Sequence, residues 1–213
     1  MTAQRPEPAT LTGTYLRLEP LGEEHLQGLF DAIAQPTVFA GGFGGGSAAL
    51  PDSFERFREW VSGHFSTDNN PFAVVLIGGP HDGAVVGTTT LGDFDVRREA
   101  THIGWTAYDP RVWGTVVNPE SKLLLLQHAF DAGFGRVKIQ TDALNLRSRS
   151  AIAKLGATFE GIVRREQRRA DGTWRDTAMF SIVIEEWPTL RTGLEERLAK
   201  FDGRPVLFRS PQG

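Results

Sequence analysis

Apolar positions along the chain recur at two spacings, one typical of strands and the other typical of helices. Residues 15–19 alternate between apolar and polar, and residues 72–77 form an unbroken apolar run that predicts a buried strand. Three further runs, each bounded by turn residues, predict strands over residues 84–91, 101–108 and 136–141.

Helical spacing of apolar residues predicts five helices between or beside these strands. They cover residues 23–34, 52–65, 118–132, 145–156 and 189–201. Asp171-Gly172 is a strong hairpin signal, and it joins the last two predicted strands, residues 157–168 and 174–186. The order is strand, two helices, a three-strand meander, helix, strand, helix and hairpin, which predicts a mixed α/β sheet with one crossover around the central helix.

The chain of 213 residues contains neither an internal repeat nor a linker that would divide it. We predict a disordered lead-in over residues 1–11, a single domain over residues 12–187, and a C-terminal helix and tail over residues 188–213. The first residues lack the apolar core of a signal peptide, and no apolar run approaches the ~18 residues of a membrane span. We therefore expect a cytoplasmic protein that does not bind membranes.

Composition excludes several kinds of chemistry. The net charge of −3 gives no bulk electrostatic reason to expect general nucleic-acid or membrane binding. The absence of cysteine excludes disulfides, thiolate metal sites and a cysteine nucleophile. His25, His64, His81 and His128 show no metal-ligand spacing, so no metal is expected.

Residues 101–132 read as a strand, a short loop and a helix, and this stretch carries the clearest candidate site. Asn118 is a predicted helix cap, with Pro119 at the first helical position and Glu120 at the positive end of the dipole. A helix N-terminus leaves backbone N–H groups free for an anion, Gly114 allows close approach, and Arg111 adds positive charge. The pattern fits a phosphate-bearing ligand, and it fits an ordinary capped connection equally well.

Several short motifs along the chain occur in one known order. They are Ile103-Gly104-Trp105, Arg111-x-x-Gly114, Asn118-Pro119-Glu120, Asn145-x-x-Ser148 and Lys154-Leu155-Gly156-Ala157. Together they resemble the GNAT acetyltransferase superfamily over residues 12–187, most closely the branch of the ribosomal-protein N-terminal acetyltransferases. Val116 departs from the pattern, because the family's pyrophosphate loop usually has Gly or Ala there. The resemblance implies a mixed, mostly antiparallel central sheet with flanking helices and a long C-terminal hairpin.

The resemblance also implies a binding site for acetyl-CoA, the co-substrate. His102 takes the position at which the family often has a carboxylate general base, and its unperturbed pKa of about 6.5 suits that role. Ser148 takes the position of the group that protonates the departing thiolate. The residues implied to bind acetyl-CoA are Thr106, Tyr108, Arg111, Val112, Trp113, Gly114, Thr115, Asn118 and Asn145.

The residues themselves leave structural interpretations open. His102 can be a hydrogen-bonded structural histidine. Asn145 can cap its helix with Ser148 as partner, an interaction worth ~1 kcal/mol that is compatible with a role in binding. Strict alternation along the central strand would place Thr106 on the same face as His102 and Ala107 on the opposite face.

Two other segments allow more than one interpretation. The glycine-rich residues 40–47 are predicted to be irregular and mobile, either as a lip over a substrate pocket that carries Phe43 or as a slack connector. The last hairpin carries an arginine cluster, which can be a solvated face, a site for an acidic substrate or a ribosomal RNA contact. The cluster consists of Arg164, Arg165, Arg168, Arg169 and Arg175.

The sequence thus predicts an acetyl-CoA-dependent N-acetyltransferase that acts on a primary amine of a protein N-terminus or a small molecule. Its partners would be acetyl-CoA and the acceptor, and a homodimer is compatible with the sequence. Two alternatives remain: a non-catalytic acyl-CoA-binding module, and a ribosome- or RNA-associated factor that uses the arginine hairpin.

Overall fold

The computed structural model describes residues 2–210, so the ends of the predicted lead-in and tail, Met1 and residues 211–213, lie outside it. Its eight strands form one open sheet in the order β1-β2-β3-β4-β5-β6-β8-β7. The strands are β1 Leu11–Thr12, β2 Leu16–Pro20, β3 Asn70–Leu76, β4 Val85–Asp95, β5 Ala100–Tyr108, β6 Arg136–Asp142, β7 Thr158–Arg168 and β8 Trp174–Val183. Only β5 and β6 pair in parallel, as a single crossover requires.

Six α-helices flank the sheet within residues 2–210. They are α1 Leu26–Ile33, α2 Pro36–Phe39, α3 Phe54–His64, α4 Val117–Asp131, α5 Leu146–Ala153 and α6 Trp187–Ala199. One apolar cluster joins α4, α5 and α6 to the sheet, and a second joins α1, α2 and α3. The predicted fold class is confirmed: a mixed α/β fold with a mostly antiparallel sheet, flanking helices and a long C-terminal hairpin. No helix in this part of the chain is long and apolar enough to cross a membrane.

The pairing of β5 with β6 is short and leaves an opening in the sheet. It covers three residue pairs and ends at His102 and Lys138. The remaining parts of both strands line the two sides of a cavity. Backbone hydrogen-bonding groups of β5 beyond His102 therefore have no β6 partner, and a ligand can bind them instead.

A bulge at Trp105 changes the alternation of β5. Trp105 has φ +47°, and the pairing with β4 shifts register there. Ile103 and Tyr108 belong to the α4 cluster, whereas Ala107 belongs to the α1 cluster. The prediction that strict alternation holds to Ala107 is therefore wrong, because one extra residue reverses the faces beyond the bulge.

Helix α4 begins earlier than predicted. Its first residue is Val117, with Val116 at the cap position, so Asn118 and Pro119 are the second and third helical residues. The predicted Asn118 cap is thus wrong. The N-terminus of α4 is instead hydrogen-bonded by Thr115, whose hydroxyl oxygen accepts from Val117 N at 3.3 Å. Pro119 is tolerated in the first turn, where its missing N–H has no intrahelical partner.

Glu120 connects α4 to the start of β2. Its carboxylate is buried and accepts from the backbone N–H groups of Thr14, Tyr15 and Leu16 at 2.7–2.9 Å. The carboxylate therefore joins two elements of the fold in addition to lying near the helix dipole.

The glycine-rich segment follows a non-helical path over residues 42–46, as predicted, and a regular turn of 3₁₀ helix begins only at its last residue, in Ser47–Ala49. Glycine allows this path because Gly42, Gly44, Gly45 and Gly46 all have positive φ. The ring of Phe43 packs edge-on against Phe39, Trp60 and His64 at centroid distances of 5.5–5.7 Å. The aromatic face of α3 is accordingly part of the core.

Both terminal segments make contacts that their composition did not indicate. Ala3 is buried, and Gln4 N donates to Ala132 O at 2.9 Å. In the tail after α6, Val206 is buried and the ring of Phe208 stacks on His81 at 3.8 Å.

Candidate active site

A cavity of about 590 Å³ occupies the opening between β5 and β6. Ten of the eleven residues predicted for the site line it, although they come from β5, the following loop, α4 and α5. They are His102, Thr106, Tyr108, Val112, Trp113, Gly114, Thr115, Asn118, Asn145 and Ser148. The fold therefore brings two distant motifs, the strand–loop–helix stretch and the start of α5, to one site.

Arg111 is the exception, because it is not among the residues that line the cavity. Its guanidinium donates to the carboxylate of Asp109, with Nη2 2.6 Å from Oδ2, and it lies 4.1 Å over the ring of Phe208. Asp109 is completely buried, so this ion pair is fixed. The positive charge that the sequence indicated for a phosphate is largely neutralised within the loop.

His102 lies in the wall of the cavity and is 3% exposed. Its Nδ1 is 3.0 Å from Oδ2 of Asp93, which also accepts from Nζ of Lys138 at 3.2 Å. The imidazole rests against Gly104, where any Cβ would overlap the ring. Its Nε2 is buried and has no hydrogen-bond partner within residues 2–210.

The protonation of this pair follows from the surroundings. The hydrogen bond from His102 is the main cause that lowers the pKa of Asp93 to about 2, so the carboxylate is ionised at neutral pH. Burial lowers the pKa of His102 despite that carboxylate, so the neutral imidazole dominates at pH 7. An ionised Asp93 requires the proton on Nδ1, which leaves the lone pair of Nε2 free to accept a proton.

Lys122 is a buried cation in the same cavity that the sequence-based prediction missed. It is 4% exposed, and its Nζ donates to the hydroxyls of Thr106 at 2.8 Å and Thr89 at 3.2 Å. Burial lowers the pKa of Lys122 to about 7. A sequence signal existed, because Lys122 follows Asn118 by four residues and so shares its helix face.

The start of α5 combines capping with a long-range contact. Asn145 Oδ1 accepts from Ser148 N at 3.0 Å, which confirms the predicted cap. Asn145 Nδ2 donates to the carbonyl of Gly41 at 2.5 Å and so joins α5 to the glycine-rich segment. Both Asn145 and Ser148 line the cavity, so the structural role leaves room for contact with a ligand.

Known proteins share this fold. A family model described as acetyltransferase (GNAT) domain matches residues 15–158, about two thirds of the chain. The chain belongs to the GNAT acetyltransferase family. Members of this family transfer acetyl groups from acetyl-CoA, and the cavity between β5 and β6 is thereby the candidate site of acetyl transfer in this GNAT acetyltransferase.

Solved structures support the same family. A GCN5-related N-acetyltransferase from Brucella melitensis is 28% identical, over 97% of this chain and 95% of that chain, with a TM-score of 0.84. A protein from T. thermophilus assigned as an acetyltransferase is 30% identical over 92% and 100%, with a TM-score of 0.81. Mycobacterium smegmatis RimJ, solved with CoA-disulfide, is 19% identical over 89% and 95%, with a TM-score of 0.71, which shows the fold alone. No curated protein matches the sequence.

Arg147 is a second cation of the GNAT site that the sequence-based prediction missed. Its guanidinium lies 3.4 Å over the ring of Trp113 and so connects α5 with the loop that follows β5. Burial is the cause that lowers the pKa of Arg147. Within residues 2–210, no group of three or more histidine or carboxylate side chains is arranged to hold a metal.

Proposed function

We propose that this GNAT acetyltransferase moves the acetyl group of acetyl-CoA to a primary amine by direct attack in a ternary complex. The observation that carries the proposal is the Asp93–His102 pair: the imidazole belongs to the wall of the cavity, and its Nε2 has no hydrogen-bond partner within residues 2–210. A neutral imidazole held by an ionised carboxylate is a suitable acceptor for the proton of an incoming ammonium group.

The open part of the sheet is the proposed site for acetyl-CoA. The thioester supplies the activated acetyl group, and the backbone groups between Gly104 and Tyr108 that lack a β6 partner can bind the amides of the pantetheine arm. The loop residues Val112, Trp113, Gly114 and Thr115 line the cavity before α4 and are the proposed pyrophosphate contacts. Arg111 would act indirectly, because its pairing with Asp109 keeps the loop in shape.

The proposed reaction removes two protons from the acceptor nitrogen and supplies one to the departing thiolate. His102 Nε2 removes one proton from the acceptor ammonium, directly or through water, and the free amine attacks the thioester carbonyl. The C–N bond forms and the C–S bond breaks. The Ser148 hydroxyl protonates the departing thiolate and regains a proton from the acceptor nitrogen, directly or through water, so the products are the amide, the CoA thiol and a protonated His102. No acyl-enzyme is required, and the chain has no cysteine that could form a thioester.

The test is a CoA-release assay with peptides, polyamines, amino acids and aminoglycosides as acceptors, followed by mass spectrometry of the product. We expect amine-dependent CoA release and an acceptor heavier by one acetyl group. His102→Ala should lower kcat/KM by about 10²–10⁴-fold, and Asp93→Asn should lower it as well because the imidazole loses its orienting carboxylate. CoA binding without amine-dependent release from any acceptor would instead identify a non-catalytic acyl-CoA-binding module.

The pH profile assigns the base. With His102 as the base, kcat/KM should rise with pH through the pKa of its imidazole, and burial places that pKa below the usual 6.5. His102→Ala should lose this limb. Full activity and an unchanged profile in His102→Ala would show that the base lies elsewhere.

A further inference from the structure

Arg175 on β8 carries an unmatched positive charge in the cavity wall. Its side chain is half-buried, and its Nε is fully buried without a hydrogen-bond partner within residues 2–210. Burial is the main cause that lowers the pKa of this guanidinium. A buried charged donor without a partner is costly, and native proteins rarely retain one that has no purpose.

The neighbouring charges are already paired with one another. Asp142 Oδ2 accepts from Arg169 Nε at 3.1 Å and from Nη2 at 2.5 Å, while its Oδ1 accepts from Leu144 N at 2.9 Å. Arg169 Nη1 donates to the carbonyl of Trp174 at 2.7 Å. Since Asp142 is already paired with Arg169, it offers Arg175 no full counter-charge, and Arg169 itself is positively charged.

The remaining carboxylate nearby is also occupied. Glu166 Oε2 accepts from the hydroxyl of Thr177 at 2.5 Å, and Glu166 forms no ion pair with Arg175. Asp142 and Glu166 attract the guanidinium only from beyond hydrogen-bond distance. Arg175 thus remains available to an anion inside the cavity.

The register of the sheet places Arg175 on the same face as the proposed base. Thr177 pairs with Asp142 at the end of β6, so Arg175 extends past that end. Ala178 and Phe180 belong to the α4 cluster, and alternation therefore puts Arg175 on the opposite face. His102 also lies opposite the α4 cluster, because its neighbour Ile103 belongs to that cluster.

Residues 41–45 of the glycine-rich segment, residues 40–47, line the same cavity. Ala170 N in the β7–β8 turn donates to Gly45 O at 3.0 Å, and Asn145 binds the carbonyl of Gly41. The segment is therefore held at both ends, by the hairpin and by α5.

We propose that Arg175 binds a carboxylate or phosphate group carried by a small primary-amine acceptor, and so selects an anionic amine as the substrate. This inference rests on the proposed function, because it names the acceptor class of the same site. A guanidinium presents a rigid fork of N–H groups that matches the paired oxygens of a carboxylate or phosphate. An amine without such a group cannot form this paired interaction.

The test measures binding without turnover, by calorimetry in the presence of saturating CoA. The probes are two matched pairs: L-glutamate with glutamine amide, and phosphoethanolamine with ethanolamine. We expect at least one probe with an anionic group to bind about tenfold more tightly than its partner without that group, the usual scale of a charge-assisted hydrogen bond. The probe pair with the larger ratio of affinities shows whether the site prefers a carboxylate or a phosphate.

Variants assign the preference to Arg175. Arg175→Gln should bring the ratio close to one with little change in the affinity for the neutral probe, and Arg175→Lys should retain part of it. Arg165→Gln is the matched control, because Arg165 is an exposed arginine of the same hairpin that lies 4.5 Å over Trp174 and does not line the cavity. The inference is overturned if neither anionic probe is preferred, or if Arg165→Gln removes the preference as fully as Arg175→Gln.

The two proposals can fail separately. Acetyl transfer to neutral amines without any anion preference would refute the inference and leave the proposed function intact. Anion binding through Arg175 without acetyl transfer to any acceptor would refute the proposed function alone.

Discussion

Replacing Lys122 with methionine should stabilise the protein at neutral pH, and the gain should decrease as the pH rises. Burial lowers the pKa of Lys122 from 10.5 to about 7, so the unfolded chain holds the proton more tightly than the folded chain. Between these two pKa values the unfolded state binds more protons, and the stability of the wild type therefore increases with pH. Methionine has a similar volume and no titratable group, so the variant lacks this contribution.

The magnitude follows from the two pKa values. Linkage gives a destabilisation from Lys122 of about 4 kcal/mol at pH 7 and about 2 kcal/mol at pH 9. The hydrogen bonds to Thr106 and Thr89 offset part of it, at about 1 kcal/mol each. The difference in the free energy of unfolding between Lys122→Met and the wild type should thus decrease by about 2 kcal/mol from pH 7 to pH 9.

The assay is urea unfolding of the wild type and Lys122→Met at both pH values. Other titrating groups cancel in the double difference, because both proteins carry them. Lys200→Met serves as the control, since Lys200 is exposed at the end of α6. An equal stability difference at pH 7 and pH 9 would refute the conclusion that Lys122 is a buried amine that titrates near neutrality.

Three further predictions concern residues in the cavity wall. His102→Glu should recover part of the activity that His102→Ala loses, because it restores the family's usual carboxylate; equal rates for the two variants would contradict this. Gly104→Ala should lower kcat while the protein stays folded, since a methyl group there would displace the His102 ring; an unchanged kcat and pH profile would show that the ring position does not matter. Ser148→Ala should lower kcat more than acetyl-CoA affinity, whereas Asn145→Ala should lower affinity, kcat and melting temperature together. If Ser148→Ala keeps full kcat and Asn145→Ala lowers only stability, the two residues act only as a helix cap.

Most strands and helices of the fold could be predicted because their patterns are local, whereas the two-residue strand β1 and the four-residue helix α2 were missed. The unbroken apolar run of β3, the Ser53 cap of α3 and the Asp171-Gly172 turn each signal their structure within a few residues. Side-chain pairing along β5 could not be predicted beyond Trp105, because a tryptophan gives no sign that it will adopt positive φ.

The sequence was sufficient to predict which residues form the site, but much less so to predict the contacts that they make. Asp93 meets His102 only through the register of β4 and β5, in which Gly92 opposes His102. Arg111 resembles a free cation in sequence, and its pairing with Asp109 depends on the shape of the loop. The importance of Lys122 was hidden because a lysine in a helix normally faces solvent.

The loop before α4 is predicted to bind acetyl-CoA. One measurement with a matched pair of variants at Gly114 tests this binding. Gly114 has φ +70°, so Gly114→Ala and Gly114→Glu carry the same backbone strain and differ chiefly in charge. A carboxylate at this position would repel the phosphates of acetyl-CoA. Each variant is compared with its own ligand-free melting temperature, which separates strain from binding.

The melting temperature with and without acetyl-CoA tests the account most directly. Ligand at 100 times its Kd adds about 2.7 kcal/mol to the stability of the native state, which corresponds to an increase of about 5–10 °C for a domain of this size. We predict this increase for the wild type, a measurable increase for Gly114→Ala and none for Gly114→Glu. No increase for the wild type at millimolar acetyl-CoA would contradict the account of the cavity as an acetyl-CoA site.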